Sequence, residues 1–199
     1  MTSAFYKAIQ GRRSIFGLSK ASPISDERLQ EVIELAVKNA PSAFNSQTGR
    51  IVVLLKEQHD TFWQLALINA LEQTAVERIA ATTARFHGFA AGYGTVLFFE
   101  NNEVMDSFQE KFPKLKDQFP IWSQQGAGML QYVIWTVLEH EGYGASLQHY
   151  YPELSEELRA AWHIEPHWQL IAQMPFGEPT AEPREKDIVP VEQRVFIIK

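Results

Sequence analysis

Apolar side chains recur at helical spacing near the N-terminus. The segment SAFYKAIQGRRS, residues 3–14, predicts a first helix that ends near Gly11. An amphipathic helix buries one stripe of its surface, and the expected stripe here comprises Phe5, Ala8 and Ile9.

The clearest helical pattern lies in SPISDERLQEVIELAVKNAPS, residues 22–42. Ser25 can cap this helix, Asp26 and Glu27 complement the positive end of its dipole, and Pro41 stops it. The expected apolar stripe comprises Leu29, Val32, Ile33, Ala36 and Val37.

Helical patterns also dominate the middle of the chain. Residues 57–92 predict one long helix or two consecutive helices, capped by Asp60 or Thr61 and ended by Gly88 or Gly92. The aromatic-rich stretch that follows, broken by Pro113 and Pro120, predicts short helices, and SEELRAAWHI predicts another. The stretch GAGMLQYVIWTVLEHEG (126–142) is apolar nearly all round, which is typical of a helix buried at the centre of its domain.

Short β-branched apolar runs predict buried strands at residues 50–55, 94–100 and 167–177. RVFIIK, residues 194–199, is a fourth candidate that follows a proline-broken stretch without a hairpin partner. Such a tail stays ordered only if something pairs with it. We therefore expect it to dock on a sheet edge, either its own or a partner subunit's, with exchange between two subunits favoured.

Helices and strands alternate with helices in excess, which predicts an α+β or α/β fold with a sheet between helices.

The 199 residues, 45% of them hydrophobic, suffice for one domain spanning 1–199. The net charge of −6 argues against nucleic-acid binding. No stretch approaches a membrane span, and the first residues lack an apolar signal core. Cysteine chemistry is excluded because the chain has no cysteine, and we expect a soluble, cytoplasmic protein.

Polar residues in GRRSIFG, 11–17, form the first candidate site. Arg12 and Arg13, with Ser14, can grip a phosphate through forked, charge-assisted hydrogen bonds. The alternative is a solvated helix end whose cations face the negative end of the dipole.

A second candidate is the loop PSAFNSQ, residues 41–47, between a predicted helix and a predicted strand. The amides of Asn45 and Gln47, with the hydroxyl of Ser42, offer donors and acceptors that suit a flat heterocycle. The same residue types also build ordinary turns, so both interpretations stay open.

A third candidate is EGYGASLQHY, residues 141–150. Gly142 and Gly144 allow the backbone to approach a ligand closely, although a helix C-cap also explains Gly142.

Neither a Walker loop, a dinucleotide GxGxxG nor a hydrolase GxSxG is present. HIEPH is not a convincing metal pair because Pro166 breaks the helix that would align its histidines, so no metal site is expected. Three aromatic residues line either an apolar pocket or the core: Phe112, Phe119 and Trp122.

Four stretches in this order carry a resemblance: RRSIFGLS, APSAFNSQTGRIVVLL, FPIWSQQGAGMLQYVIWTVLEHEGYGASLQHYYP and QMPFGEP. Together they resemble the nitroreductase family of FMN-dependent oxidoreductases, and within it the subgroup of the yeast fatty-acid-repression protein. The resemblance implies a mixed, mainly antiparallel sheet flanked by helices, with an extended C-terminal strand. It also implies a homodimer with FMN in two interface sites, each lined by both chains.

The resemblance also implies roles for individual residues. The phosphate and ribityl chain would contact Arg12, Arg13 and Ser14, and the ribityl chain and ring edges would contact Ser42, Asn45 and Gln47. The hydride-accepting edge of the flavin would face Gly144, Ala145 and Ser146. In the tail, Lys186 matches a phosphate-binding position, whereas Ile188 replaces a basic residue for which Arg194 can substitute. Tyr151 stands where the subgroup often has asparagine.

The implied activity is hydride transfer from NADH or NADPH to FMN, and from FMN to a nitroaromatic, quinone or similar flat acceptor. Because the flavin carries the chemistry, no catalytic side chain is expected. Two alternatives stay open: a flavin-binding regulatory or stress-response protein with little turnover, and an interaction module that has lost flavin.

Overall fold

The computed structural model describes residues 3–199. Helices and strands follow one another along this part of the chain. The helices are α1 (Ala4–Gly11), α2 (Asp26–Asn39), α3 (Lys56–Glu72), α4 (Ile79–Ala90), α5 (Asn102–Lys111), α6 (Phe119–His140) and α7 (Glu156–Ala161). The strands are β1 (Leu18–Ser19), β2 (Gly49–Leu55), β3 (Gly94–Asn101), β4 (Gly144–Ala145) and β5 (Trp168–Pro179). Short 3₁₀ turns occupy Ala43–Asn45, Val76–Arg78, Pro113–Gln118 and Val191–Gln193.

The strands form one sheet in the order β1-β5-β3-β2, and β4 also pairs with β5. These pairings are antiparallel, and a single parallel bridge joins Ser14 to Ala145 in the described residues. The predicted strands at 50–55, 94–100 and 167–177 are confirmed as β2, β3 and β5. The predicted α+β fold with a mainly antiparallel sheet is confirmed.

β3 lies in the middle of the sheet and is buried along its whole length. Because side chains alternate between the faces of a strand, β3 contributes to two cores. Val96 and Phe98 pack with residues of α2 and α6, while Leu97 and Phe99 pack with residues of α3 and α4. The sheet is thus covered on both faces, which explains the continuous apolar run in its sequence.

Local signals predicted α2 well. The Ser25 hydroxyl accepts the backbone N–H of Arg28 at 3.2 Å, as an N-cap should, and the helix ends before Pro41. Four of the five expected stripe residues are buried, while Val37 is exposed.

The N-terminal boundary predicted for the next helix is wrong. α3 begins at Lys56, directly after β2, so neither Asp60 nor Thr61 caps it. Lys56 has φ 53°, and this left-handed residue turns the chain from strand to helix without a loop. Two helices form rather than one, and the second ends at Ala90, between the two predicted glycine stops.

Two predicted burial patterns are also wrong for the single chain. In α1 only Ala8 is buried, while Phe5 is 67% exposed and Ile9 is exposed as well. α6 buries one stripe, and apolar side chains on another side, such as Met129 and Tyr132, are exposed. A helix that is apolar nearly all round but covered on only one side has surface left for another chain.

The C-terminal tail lies outside the sheet. The predicted strand RVFIIK, residues 194–199, forms no ladder with the described part of this chain, so docking on its own sheet edge is wrong. Its apolar side chains are exposed, up to 92% for Ile198. β2 is meanwhile an edge strand, paired on one side only among residues 3–199. In the same residues, no helix combines the length and apolarity that a membrane crossing needs.

Candidate functional site

Two of the three candidate stretches meet at one place in the fold. The arginine segment (residues 12–14) runs beside the glycine loop (residues 144–146), because Ser14 forms a parallel bridge with Ala145. The backbone N–H of Ile15 donates to the Ala145 carbonyl at 2.9 Å. Gly144 and Ala145 in turn pair with β5. The sheet therefore fixes the position of the arginine segment.

Arg12 is held in an unusual way at the end of α1. Its backbone N–H donates to the Ala8 carbonyl at 3.0 Å, and its guanidinium lies 4.4 Å from the centre of the Trp135 ring. Tyr132 is the next aromatic neighbour at 6.0 Å. The Arg12 Nε is buried and has no hydrogen-bond partner in the described part of the chain. Buried donors are nearly always paired, so this atom is an exception, which it shares with six other buried side-chain atoms of the described chain.

An acidic group lies near Arg12. Burial raises the pKa of the Glu139 carboxyl, while the positive charges of His140 and Arg12 act in the opposite direction. The absence of a Cβ at Gly11 makes room for this carboxylate, because a Cβ there would lie 2.1 Å from Glu139 Oε1.

One basic residue of the tail, Arg184, lies beside the arginine segment within one chain, and its guanidinium is 5.1 Å from the centre of the Phe16 ring. Arg13 Nη2 donates to the Arg184 carbonyl, which ties the start of the tail to the arginine segment. Lys186 is exposed, and Arg194 is exposed at the end of a 3₁₀ turn. Their predicted phosphate contacts stay a prediction.

The amide loop (residues 42–47) has a strained backbone. Phe44, Asn45 and Gln47 have φ of 55°, 52° and 47°, a left-handed region that side chains other than glycine seldom adopt. The Ser42 hydroxyl accepts the backbone N–H of Gln47 at 2.9 Å and closes the loop. Asn45 is exposed and Gln47 borders a cavity, so their amides are open to an approaching molecule.

The amide loop and the arginine segment lie on opposite sides of α6. Ser42 lies against Gly126 of α6: a Cβ added to Gly126 would be 3.8 Å from the Ser42 Cβ. Arg12, by contrast, stacks on Trp135 of the same helix. These two α6 positions are roughly two and a half turns, or about 13 Å, apart along the helix. A half-integral number of turns places them on opposite faces. One chain therefore does not bring Arg12 and Asn45 into one cavity.

An aromatic cluster adjoins the amide loop. Phe44, about half exposed, lies 5.2 Å from Phe112, 5.7 Å from Phe119 and 5.8 Å from Trp122, measured between ring centres. The sequence had pointed to the last three but not to Phe44, which belongs to the loop itself. A left-handed aromatic residue carries no signal in a single sequence.

Cavities lie on both sides of α6. One of about 770 Å³ lies between α2, β2 and α6 and includes Ser42 and Gln47 in its walls. Another of about 640 Å³ is lined by residues of α6, β5 and the chain after the glycine loop, namely Gln124, Gly128, Gln131, His149, Tyr151, Gln169, Leu170 and Ile171. The α6 residues of this second cavity continue along the helix towards Trp135 at spacings of three and four. The sequence had not indicated Trp135, Gln131 or His149 as site residues.

A family model and curated relatives both match this chain, and both are nitroreductases. The nitroreductase family model matches residues 9–178. Nitroreductase FRM2 of Saccharomyces cerevisiae is 32% identical over 190 residues, covering 94% of each chain. The resemblance to the yeast subgroup is thereby confirmed.

Solved structures agree. Nitroreductase CinD from Lactococcus lactis, in complex with chloramphenicol, has a TM-score of 0.86 and 36% identity, covering 98% of this chain and 100% of its own. A nitroreductase with bound FMN from Desulfitobacterium hafniense has a TM-score of 0.71 at 15% identity, with both chains fully covered. At that identity the second similarity concerns the fold alone.

Proposed function

The chain belongs to the nitroreductase family of oxidoreductases, and from this premise we propose that it is an FMN-dependent enzyme. It transfers hydride from NADH or NADPH to bound flavin, and from flavin to a nitroaromatic, quinone or similar acceptor. FMN supplies the hydride chemistry when bound, while the protein binds and orients it.

The observation that carries the proposal is the position of the Arg12 guanidinium, which lies close to the glycine loop and makes no hydrogen bond within residues 3–199. A guanidinium whose donors lack partners fits a phosphate, which supports placing the phosphate end of FMN at Arg12, with Arg13 and Ser14 beside it. The accessible amides of Asn45 and Gln47 fit the donor and acceptor edge of the ring. The buried glycine loop, Gly144–Ser146, forms a backbone wall beside the arginine segment.

The site is assembled from two chains. Since Arg12 and the amide loop lie on opposite sides of α6, the arginine segment of one subunit and the amide loop of a second copy form one FMN site. The exposed apolar side chains of α1 and α6 supply a surface that a homodimer would cover.

The tail supports the same assembly. Its apolar residues are exposed, and β2 offers an edge without a strand partner in the described chain, beside the 770 Å³ cavity. Residues 194–199 of one subunit add a strand to the β2 edge of the other, which satisfies the unpaired backbone groups of both. In this arrangement Arg194 moves with the exchanged strand, whereas Lys186 lies two residues after Arg184, whose carbonyl accepts from Arg13 of its own chain.

The acceptor is a flat aromatic molecule. Structures of CinD hold chloramphenicol, nicotinic acid or 4-nitrophenol, and the aromatic cluster of Phe44, Phe112, Phe119 and Trp122 can form a wall for such rings. Donor and acceptor occupy the same slot in turn, so the kinetics are ping-pong.

Absorption spectra of the purified protein test the function. A yellow protein that bleaches with NADH or NADPH without oxygen, and regains its colour with a nitroaromatic, supports the enzyme. A yellow protein that does not bleach favours the regulatory alternative. A colourless protein that takes up no added FMN rejects the proposal.

A further inference from the structure

The Arg12 guanidinium lies on an aromatic ring rather than against a polar group. Among residues 3–199, no hydrogen bond or ion pair fixes its guanidinium, although a long arginine side chain is costly to order. Its close neighbour is the face of Trp135, at 4.4 Å from the ring centre. This distance is well inside the range of about 6 Å in which a cation–π attraction acts.

Stacking and ion pairing have different consequences for a phosphate site. A guanidinium that lies on a ring keeps its N–H donors directed outward in its own plane. A salt bridge to Glu139 would instead engage these donors and neutralise the charge, but no ion pair joins the two residues in the described chain. Trp135 therefore supports the Arg12 guanidinium on one face and leaves Nη1 and Nη2 available, whereas Nε is buried.

We propose that Trp135 is a positioning residue that holds Arg12 ready for the FMN phosphate. This inference rests on the proposed FMN site. Without the ring, the Arg12 side chain samples many rotamers. Its conformational entropy is then lost when the phosphate binds, and this loss lowers the affinity. The loss of Trp135 therefore weakens the phosphate contact specifically and leaves the contacts to the flavin ring unchanged.

Equilibrium titration of apoprotein with FMN and with riboflavin, followed by flavin fluorescence, tests this role. Riboflavin lacks the phosphate, so its affinity also reports that each variant is folded. We expect Trp135→Leu to weaken FMN binding about five- to thirtyfold and riboflavin binding less than twofold. Trp135→Phe, which keeps an aromatic face, should remain within about threefold of the wild type.

A double-mutant cycle separates positioning from packing. In the Arg12→Ala background, Trp135→Leu should have no further effect on FMN affinity, because the side chain it orders is gone. Tyr132→Leu is a graded comparison: its ring is farther from Arg12, at 6.0 Å, so the ratio of FMN affinity to riboflavin affinity should fall less than in Trp135→Leu. If Trp135→Leu does not fold, Trp135→Met allows the same comparison.

Three results would overturn the inference: unchanged FMN affinity in Trp135→Leu, equal losses for FMN and riboflavin, or an undiminished loss in the Arg12→Ala background. Each leaves the proposed function intact, because wild-type protein still binds FMN. A wild-type apoprotein that binds neither flavin would instead reject the proposed function, and this inference with it.

Discussion

The Ser42 hydroxyl accepts the backbone N–H of Gln47 at 2.9 Å and closes a loop whose residues Phe44, Asn45 and Gln47 are all left-handed. Each left-handed residue other than glycine carries strain, which the surrounding contacts must offset. Together with the bonds from the Asn45 N–H to the Ser42 carbonyl and from the Ser46 N–H to the Ala43 carbonyl, both 3.0 Å, this hydrogen bond holds the loop in one arrangement.

Replacing Ser42 by alanine should relax this loop. We expect Ser42→Ala to lower the free energy of unfolding by about 1 kcal/mol, the usual value of one hydrogen bond, and to weaken FMN binding as well. Urea unfolding and flavin titration measure the two effects. Ser46→Ala is the control, because the Ser46 hydroxyl makes no hydrogen bond within residues 3–199. Equal effects of the two substitutions would contradict the role given to Ser42.

Removing the Arg12 side chain tests the phosphate assignment. Arg12→Ala should weaken FMN affinity by about 2 kcal/mol or more, since a charge-assisted bond to a dianion is lost. Fluorescence titration of the apoprotein measures the affinity. Arg28→Ala is a suitable control, because Arg28 pairs instead with Glu31 and Glu141 on α2 and after α6. FMN bound as tightly by Arg12→Ala as by the wild type would rule the assignment out.

Deleting residues 192–199 tests the exchange of tails. The deleted side chains are exposed in the single chain, so the truncated subunit should still fold. Its dimer should dissociate at concentrations where the full-length protein remains associated, because the apolar strand no longer covers the β2 edge. Sedimentation velocity over a range of concentrations measures this. An equally tight dimer after truncation would remove the exchange hypothesis.

Buried His59 predicts a dependence of stability on pH. Its Nε2 faces the Ala90 carbonyl at 3.2 Å and so carries the proton, while Nδ1 accepts from the Thr95 hydroxyl at 2.8 Å. Thr95 Oγ1 also accepts the Trp63 indole N–H at 2.8 Å. The neutral imidazole satisfies every partner, and burial lowers the pKa of His59.

The sign of the effect follows from this lowered pKa. Unfolded His59 takes up a proton near pH 6.5, whereas folded His59 resists it to lower pH. Its contribution to stability is therefore present above pH 6.5 and is lost as the pH falls through the folded pKa. Urea unfolding at pH 7.5 and 5.5 should show a smaller decrease for His59→Gln than for the wild type. Identical decreases would contradict the assignment.

Gly177 tests how closely the chain packs at the end of β5. A Cβ there would lie 2.2 Å from the Ser19 carbonyl oxygen and 2.9 Å from the Tyr93 nitrogen, both backbone atoms that cannot move aside easily. We expect Gly177→Ala to destabilise the protein by about 1–3 kcal/mol or more. Gly88→Ala is the control with the opposite expected sign. A Cβ added to Gly88 in α4 would have no atom within 4 Å, and alanine stabilises a helix by about 1 kcal/mol relative to glycine. The unfolding temperature of each variant measures the effect. If both substitutions shift it in the same direction, close backbone packing does not explain the glycine at position 177.

The sequence by itself determined the elements that depend on local signals. The apolar stripe and Ser25 cap specify α2, and the β-branched runs specify β2 and β3, because periodicity and capping act between residues close in the chain. The three candidate stretches, 11–17, 41–47 and 141–150, could also be located from their residue types, their order and their resemblance to a family.

Tertiary structure alone decided how these stretches are arranged. Sequence gives no indication that Lys56 turns β2 directly into α3, that Phe44 joins the aromatic cluster, or that Arg12 stacks on Trp135, because each depends on contacts between distant segments. The same holds for the opposite placement of Arg12 and Ser42 around α6 and for the tail that finds no partner in its own sheet among residues 3–199. Which groups share a cavity depends on packing geometry, and packing is not encoded by local spacing.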